Sequence, residues 1–359
     1  MRSPRKELPR GSICEYSLTE ALGADDRRPV AGRMIGAHQA RQAARRRLFI
    51  LLRWGAGLAV LLLLAHVIPR EPLRAALARV PGTRFLAILL AYLVVHLVGI
   101  AKWRMTVNAA GAGLDLSTSA QCYCGGLFGT LFLPSILGGD VVRLAVGLRR
   151  SPQPAGVLAG NIADRILDVC AQGGLVLVGL FLLPESLPGA WQAAARRALL
   201  IAALLGMVVA LLSILLYRPL LRGHSVRFRR RLARFRHALR SVWRRPHVLV
   251  LGWLMGLFIQ ASFVLLGALL AISCGLLLPL RVWLFAWPLA KVVALLPLTQ
   301  GGIGVREAAL VVLLAPFGVA GPLAFATGLV WEAVVICGGL LAGLAALLLR
   351  RLDEAEEQA

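Results

Sequence analysis

The sequence contains PSILGGDVVR at residues 134–143 and PLTQGGIGVR at residues 297–306, which share the pattern Pro-x3-Gly-Gly-x3-Arg. Each stretch follows an apolar run in which a membrane-spanning helix would otherwise continue. Because proline lacks a backbone donor and glycine permits positive φ, both stretches predict broken helices. Two apolar segments interrupted in this way, one in each half of a chain, are typical of a transport site built from an internal repeat.

The composition predicts an all-α polytopic membrane protein. Hydrophobic residues make up 58% of the 359 positions, and the mean hydropathy is +0.76, well above that of soluble domains. The formal net charge is nevertheless +23, from 40 Lys and Arg against 17 Asp and Glu. Such an excess is typical of cytoplasmic loops beside anionic headgroups, so we expect a multi-pass protein of the cell (inner or plasma) membrane.

Several other classes of protein are disfavoured by the sequence. A basic chain can bind nucleic acid, but no nucleic-acid-binding module accompanies these charges, so no such partner is expected. The six cysteines show no metal or disulfide spacing, and no GxxxxGK[ST] phosphate loop occurs. We therefore expect no metal, no cofactor and no direct ATP hydrolysis. Association into a homodimer is left open.

Six apolar segments are long enough to cross a bilayer, which requires roughly 20 residues. They are 48–68, 85–101, 156–182, 198–217, 247–272 and 323–349, and the two further apolar regions 120–147 and 282–318 contain the broken patterns. Before them, residues 1–47 form a basic tail that is predicted to be cytoplasmic and disordered. Residues 350–359 form a second cytoplasmic tail. Both termini are therefore predicted to be cytoplasmic.

Charge placement decides how the two broken regions cross the membrane. Segment 218–246 holds eleven arginines and no acid, so we expect a cytoplasmic amphipathic helix on anionic lipid headgroups. Lys102, Arg104 and the pair at 149–150 are also placed inside. Both tails and segment 218–246 can be cytoplasmic only if 120–147 and 282–318 each cross the membrane zero or two times. These regions are therefore predicted to be broken or re-entrant helical hairpins that open to opposite sides. Residues 48–349 then form one transmembrane domain with an inverted-topology repeat, 48–182 against 198–349.

Charged residues inside apolar segments are costly, so they usually face the protein interior and are functional. On segment 156–182, polar residues recur at three- and four-residue steps and share one stripe: Asn161, Asp164, Arg165, Asp168 and Gln172. Arg165 and Asp168 are spaced to form an ion pair. The stripe either lines a polar cavity or serves this structural pair. Lys291 and Glu332 are a second candidate buried pair, and a proton on Asp168 or Glu332 could couple transport to a gradient.

The two broken patterns combine features that favour phosphate. Gly138 and Gly139 in the first, and Gly301 and Gly302 in the second, would expose backbone N–H groups near a helix N-terminus. Arg143 and Arg306 would add planar guanidinium groups suited to bidentate phosphate contacts. The alternative is that Asp140 and Glu307 neutralise these arginines and the hairpins only pack.

At these residues the chain resembles the transmembrane region of lysylphosphatidylglycerol synthetases, a family that includes flippase-like proteins of uncharacterised function. The resemblance covers roughly 45–350, and its most specific element runs from Gly301 through Gly302, Gly304 and Arg306 to Glu307. It implies an integral membrane domain that flips a phospholipid or a polyprenyl-linked lipid. The residues that match are Gly138, Gly139, Asp140, Arg143, Arg165, Asp168, Gly301, Gly302, Gly304, Arg306 and Glu307.

One departure from the family separates the functional alternatives. The synthetases carry a soluble aminoacyl-transferase domain after the membrane region, whereas this chain ends nine residues after Arg350. A lipid translocase is therefore favoured over a transferase, and no catalytic residue is predicted. An intramembrane enzyme acting on a lipid headgroup and a transporter of small soluble anions are the alternatives.

Overall fold

A computed structural model describes Leu62 and residues 70–133, 138–182, 226–294, 299 and 302–356. Every regular element in these ranges is helical, as the composition predicts. The helices are α1 (Arg70–Ala78), α2 (Gly82–Ala109), α3 (Leu116–Phe132), α4 (Gly138–Arg150), α5 (Pro154–Phe181), α6 (Val226–Trp243), α7 (Pro246–Ser273), α8 (Leu280–Val293), α9 (Val305–Leu314) and α10 (Gly321–Glu356). A 3₁₀ turn at Ala315–Phe317 follows α9.

Within these ranges, α2, α7 and α10 are long and apolar enough to cross a membrane. Helix α5 has the same 28-residue length as α2, and its three charged residues, Asp164, Arg165 and Asp168, lie close together in its middle. The outer surfaces of these long helices carry exposed aliphatic side chains, such as Leu90 on α2 and Leu265 on α7. Such surfaces suit contact with lipid. The predicted spans 48–68 and 198–217 and the tail 1–47 lie outside the described residues, so the count of six spans stays a prediction.

The helix that contains the predicted second span 85–101 is longer than that span and includes Lys102 and Arg104, which were placed on the inner side. Helix α2 continues to Ala109, because no proline or glycine interrupts the chain until Gly111, whose φ is +91°. Lys102 is consequently a helical residue with only 2% of its surface exposed. This extension brings a cation into the interior of the bundle.

The first broken region forms a helical hairpin of α3 and α4. Ser151, just after α4, donates from Oγ to the carbonyl of Ala112, just before α3, at 2.6 Å. Both ends of this hairpin therefore lie at one end of the bundle. The basic helix α6 lies at the same end, where Ser241 Oγ donates to the carbonyl of Ala109 at 2.8 Å.

The second broken region forms another hairpin, of α8 and α9, which enters from the opposite end. Helix α8 runs against the C-terminal half of α5, since Gly179 closely approaches Leu284 while Gln172 bonds to the carbonyl of Pro288. Cys274 at the end of α7 shares a hydrophobic cluster with Val311 of α9. The two hairpins thus open at opposite ends, and each half shows the order long helix, hairpin, long helix.

The glycines of the two patterns have different local roles. Gly138 and Gly139 are already helical in α4, and a Cβ on Gly139 would lie 2.4 Å from the carbonyl oxygen of Gly126 in α3. They begin α4, as the prediction of a helix N-terminus there requires, and they also permit close packing of α4 on α3. Gly302 and Gly304 have φ of +81° and +82°, which L side chains rarely adopt, and they lead into α9.

Helix α6 confirms the prediction of a helix within 218–246. Its apolar side packs on the ends of α2, α5 and α7 through Ala238 and Val242, both buried. The exposed side carries arginines at 230, 231, 234, 236 and 240. Because its apolar side packs on protein, any contact with lipid headgroups must come from this basic side and the exposed Trp243.

Candidate functional site

The polar stripe of α5 faces the interior of the bundle. Asn161 accepts from the indole N–H of Trp103 at 2.9 Å, and Gln172 donates to the carbonyl of Pro288 at 2.8 Å. Between them lie Asp164, Arg165 and Asp168, which all take part in ion pairs. Arg165 is eleven residues into α5, about 17 Å from its start at 1.5 Å per residue. That depth is close to half of a hydrocarbon core of about 30 Å.

Lys102 joins α2 to this stripe. Its Nζ lies 2.5 Å from Oδ1 of Asp164 and 2.9 Å from Oδ1 of Asp168. Lys102 and Asp164 are each 2% exposed, so this is a pair that water hardly reaches. Arg165 contacts Asp168 at 3.3 Å, which confirms the predicted spacing of that pair. The polar stripe of α5 therefore takes part in a network of ion pairs and not only in the Arg165–Asp168 pair.

The first hairpin contributes Asp140 and Arg143 to the same network. Nε of Arg165 lies 3.3 Å from Oδ2 of Asp140, and Nη1 of Arg143 lies 3.6 Å from Oδ1 of Asp140 and 4.0 Å from Oδ2 of Asp164. Three cations and three carboxylates therefore meet where α2, α4 and α5 converge. The prediction that Asp140 neutralises Arg143 is met only by a long contact, which leaves the guanidinium incompletely satisfied.

Arg143 has hydrogen-bonding capacity that the protein does not use. Its guanidinium carbon lies 4.1 Å from the ring centroid of Tyr123 and 5.7 Å from that of Trp103. Only 5% of the residue is exposed, yet in the part of the chain that the structure describes Nε and Nη1 have no hydrogen-bond partner. Buried polar groups are normally paired, so these donors suit an anionic ligand.

Arg306 of α9 is held differently from Arg143. Its Nη2 donates to Glu332 of α10 and, at 3.3 Å, to Oε1 of Glu307. The other oxygen of Glu307 accepts from the backbone N–H of Gly304 at 2.7 Å. Glu307 thus caps its own helix and fills the N-terminal position at which an external phosphate was predicted.

The predicted Lys291–Glu332 pair does not form. Glu332 pairs with Arg306, because α9 brings that guanidinium to the same face of α10. Lys291 of α8 donates instead to Oε1 of Gln260 at 2.9 Å, and its Nζ lies 5.3 Å from the ring centroid of Phe263. Its surroundings are therefore an amide and an aromatic ring of α7.

A cavity of about 480 Å³ brings both groups of charges together. Nine charged residues line it: Lys102, Asp140, Arg143, Asp164, Arg165, Asp168, Lys291, Arg306 and Glu332. The predicted site residue Gly139 also lines the cavity. In the described ranges, Gly138, Gly302, Gly304 and Glu307 do not line it and instead support the hairpins. Gly301 lies outside the described residues. Both hairpins thus reach one cavity, which is the candidate site.

Aromatic side chains separate the two groups of charges within the cavity. Tyr92, His96, Phe263 and Trp331 form edge and tilted ring contacts between 4.4 and 5.9 Å. His96 packs in this group, but its Nε2 is buried with no hydrogen-bond partner among the described residues. A histidine in an apolar run gives no sequence signal that distinguishes packing from lining a cavity.

The comparison with known families agrees with this architecture. The family described as lysylphosphatidylglycerol synthase TM region matches residues 48–343. The chain belongs to this family. The match spans α1 to α9 and most of α10, including the hairpins and the charged stripe, so the resemblance inferred from the motifs is confirmed. No curated protein and no solved structure matches the chain.

Membership of the lysylphosphatidylglycerol synthase TM region family indicates a membrane protein related to lipid. The carboxylates of the site are mostly engaged by cations. Within the described ranges, no three or more His, Cys, Asp or Glu side chains come together in a way that could hold a metal ion. In this part of the chain the site is therefore an ion-pair network around a cavity.

Proposed function

We propose that the protein is a lipid translocase that moves a phosphate-bearing phospholipid or polyprenyl-linked lipid between leaflets. The observation that carries this proposal is the composition of the cavity. Its interior is charged, whereas Phe132, Val169 and Leu340 line it and are also strongly exposed, at 49%, 64% and 50%. A charged interior with an apolar, exposed rim suits a ligand whose headgroup is polar and whose tails stay in the bilayer.

The arrangement of the hairpins supports movement through the bilayer centre. Arg143 of the first hairpin and Arg306 of the second line the same cavity as Arg165 of α5, and the bundle ends from which the hairpins enter are opposite. An inverted-topology repeat, 48–182 against 198–349, would make the inward-open and outward-open states of alternating access structurally equivalent. Arg143, with its unused donors, is the group in the first hairpin best placed to contact a phosphate.

The basic end of the bundle sets the proposed orientation. Helix α6 and the residues at 149–150, 244–245 and 350–351 bring arginines to the end where α2 finishes and α7 begins. Positive residues favour the cytoplasmic side, so this end and both termini are proposed to be cytoplasmic. The arginines of α6 are proposed to contact anionic headgroups there.

Reconstitution tests the function directly. The full chain is placed in vesicles of phosphatidylcholine and phosphatidylglycerol that contain NBD-labelled phosphatidylglycerol, and dithionite reports which labels are in the outer leaflet. We expect nearly complete bleaching with protein and about half in protein-free vesicles. Uptake of radiolabelled inorganic phosphate with no lipid movement would instead support the small-anion transporter. A headgroup change that mass spectrometry detects and EDTA abolishes would support the enzyme.

A further inference from the structure

Lys291 differs from the other cations of the cavity. Lys102, Arg143, Arg165 and Arg306 each form at least one ion pair with a carboxylate. Lys291 forms none with any carboxylate of the described residues, and its partners are the amide of Gln260 and the ring of Phe263. Because charge removed from water requires a counter-charge, an anion in the cavity is the complement that this ammonium lacks.

His96 offers a second unused group near Lys291. Its ring centroid lies 5.4 Å from that of Phe263, and the Lys291 ammonium lies 5.3 Å from the same ring. Nδ1 lies 3.2 Å from the hydroxyl of Tyr123, whereas Nε2 is buried without a partner and the residue is 8% exposed. In the tautomer in which Tyr123 donates to Nδ1, Nε2 carries the proton and is, among the described residues, a buried donor without an acceptor on a residue that lines the cavity.

Tyr123 continues this line of contacts to Arg143. Its ring lies under the guanidinium at 4.1 Å while its hydroxyl contacts His96. An ammonium, an imidazole N–H and a guanidinium edge thus follow one another along the cavity wall. They come from α8, α2 and α4, so the two hairpins and a long helix each supply one donor.

We propose that Lys291 and His96 form the main anion subsite of the cavity, where they bind the oxygens of a phosphate ester, with Arg143 donating from the side of Tyr123. This proposal rests on the proposed function for the identity of the ligand as a lipid headgroup. The subsite recognises a phosphate group whether it belongs to a lipid or is free. Arg306 then serves to hold α9 against α10 and not to bind the phosphate.

Equilibrium binding of NBD-labelled phosphatidylglycerol to the full chain in detergent tests the subsite. Losing one charge-assisted contact in a partly dry site should weaken binding about tenfold or more in Lys291→Gln. Lys291→Arg, which keeps the charge, should stay within about threefold, and His96→Phe, which removes Nε2 but keeps a ring, should weaken binding about fivefold. The matched control is Arg281→Gln, because Arg281 is exposed on the same helix and does not line the cavity.

Each variant is compared with the wild type by its melting temperature, so that loss of fold is separated from loss of the contact. If Lys291→Gln does not fold, His96→Phe carries the test. Wild-type binding by folded Lys291→Gln or by folded His96→Phe would overturn the subsite.

Inorganic phosphate identifies the source of the anion. Its displacement of the lipid probe from the wild type, and its much weaker binding to Lys291→Gln, would support a site for the phosphate group itself. Binding of the lipid that depends on Lys291 but is insensitive to inorganic phosphate would support a site that requires the whole headgroup. Phosphate uptake that depends on Lys291 but occurs without lipid movement would contradict the proposed translocase function and would still support the anion subsite.

Discussion

The Nζ atom of Lys102 lies 2.5 Å from Oδ1 of Asp164, and both side chains are 2% exposed. Asp168 contacts the same ammonium at 2.9 Å. The contact joins α2 to α5 where Asp140 and Arg143 of the first hairpin also approach Asp164 and Arg165. One lysine therefore compensates two carboxylates that also pair with Arg165, and the stability of the site depends on it.

Removing this lysine should destabilise the protein more than it affects any ligand. Lys102→Met leaves two carboxylates with too little positive charge, which should cost about 3–5 kcal/mol of the free energy of unfolding. Thermal unfolding of the purified protein in detergent measures the effect. The double variant Lys102→Met/Asp168→Asn should recover part of the loss, because it restores the charge balance. Arg351→Met, at an exposed position, is the control. An unchanged melting temperature for Lys102→Met would show that the contact is not stabilising.

Arg143 should behave in the opposite way, because its Nε and Nη1 atoms form no hydrogen bond within the described residues. In Arg143→Ala, Asp140 keeps its contact with Arg165, so the fold should persist. Transport of NBD-labelled phosphatidylglycerol should fall on the order of tenfold to a hundredfold, as expected for one lost charge-assisted bond. Arg149→Ala, exposed on the same helix, is the matched control. Normal transport by folded Arg143→Ala would remove this arginine from the site.

Arg306→Ala should lower stability, because it leaves Glu307 at 0% exposure beside Glu332 with no cation. Breaking a buried pair in this way costs about 3–5 kcal/mol, so protein level and melting temperature should both fall. Arg306→Ala/Glu332→Gln should recover part of that stability. If the single variant instead folded normally and lost only transport, Arg306 would be a ligand-binding residue like Arg143.

The sequence predicted the hairpins and the stripe because both depend on local rules. Helix breakers in apolar runs and a 3.6-residue period are visible without tertiary contacts, and the structure places Asp164 and Asp168 on an interior face as expected. The parity argument, in which the hairpins open to opposite sides of the membrane, stays a prediction, because the spans 48–68 and 198–217 on which it depends lie outside the described residues.

Other features depend on contacts between distant segments. Lys102 was placed beyond the end of the second span because hydropathy falls at a charge, although the helix continues and two carboxylates of α5 pair with the lysine. The sequence could not show which cation pairs with Glu332. The relative register of the helices was unknown, so both Lys291 and Arg306 were candidates. The packing role of Gly139 was not predicted, because its close approach to Gly126 is a tertiary contact.

That close approach gives a packing test of the first hairpin. A Cβ at position 139 would lie 2.4 Å from the carbonyl oxygen of Gly126 and 2.5 Å from Cγ2 of Thr130. The backbone oxygen cannot yield without separating α3 from α4, so Gly139→Ala should cost about 1–3 kcal/mol and disturb Arg143 as well. Gly174→Ala on α5 is the control, because its Cβ would meet no atom within 4 Å. Equal melting temperatures for the two variants would contradict the tight crossing.

The side on which each hairpin opens can be measured by cysteine labelling in a variant without native cysteines. Leu116→Cys and Arg149→Cys flank the first hairpin at exposed positions, and Leu277→Cys, at a site 78% exposed, precedes the second. Because Ser151 bonds to the carbonyl of Ala112, the two flanks lie at one end of the bundle. A membrane-impermeant maleimide should therefore label 116 and 149 only from the cytoplasm and 277 only from outside. Labelling of 116 and 149 from opposite sides would mean that 120–147 crosses the membrane once, and the inverted repeat would then be wrong.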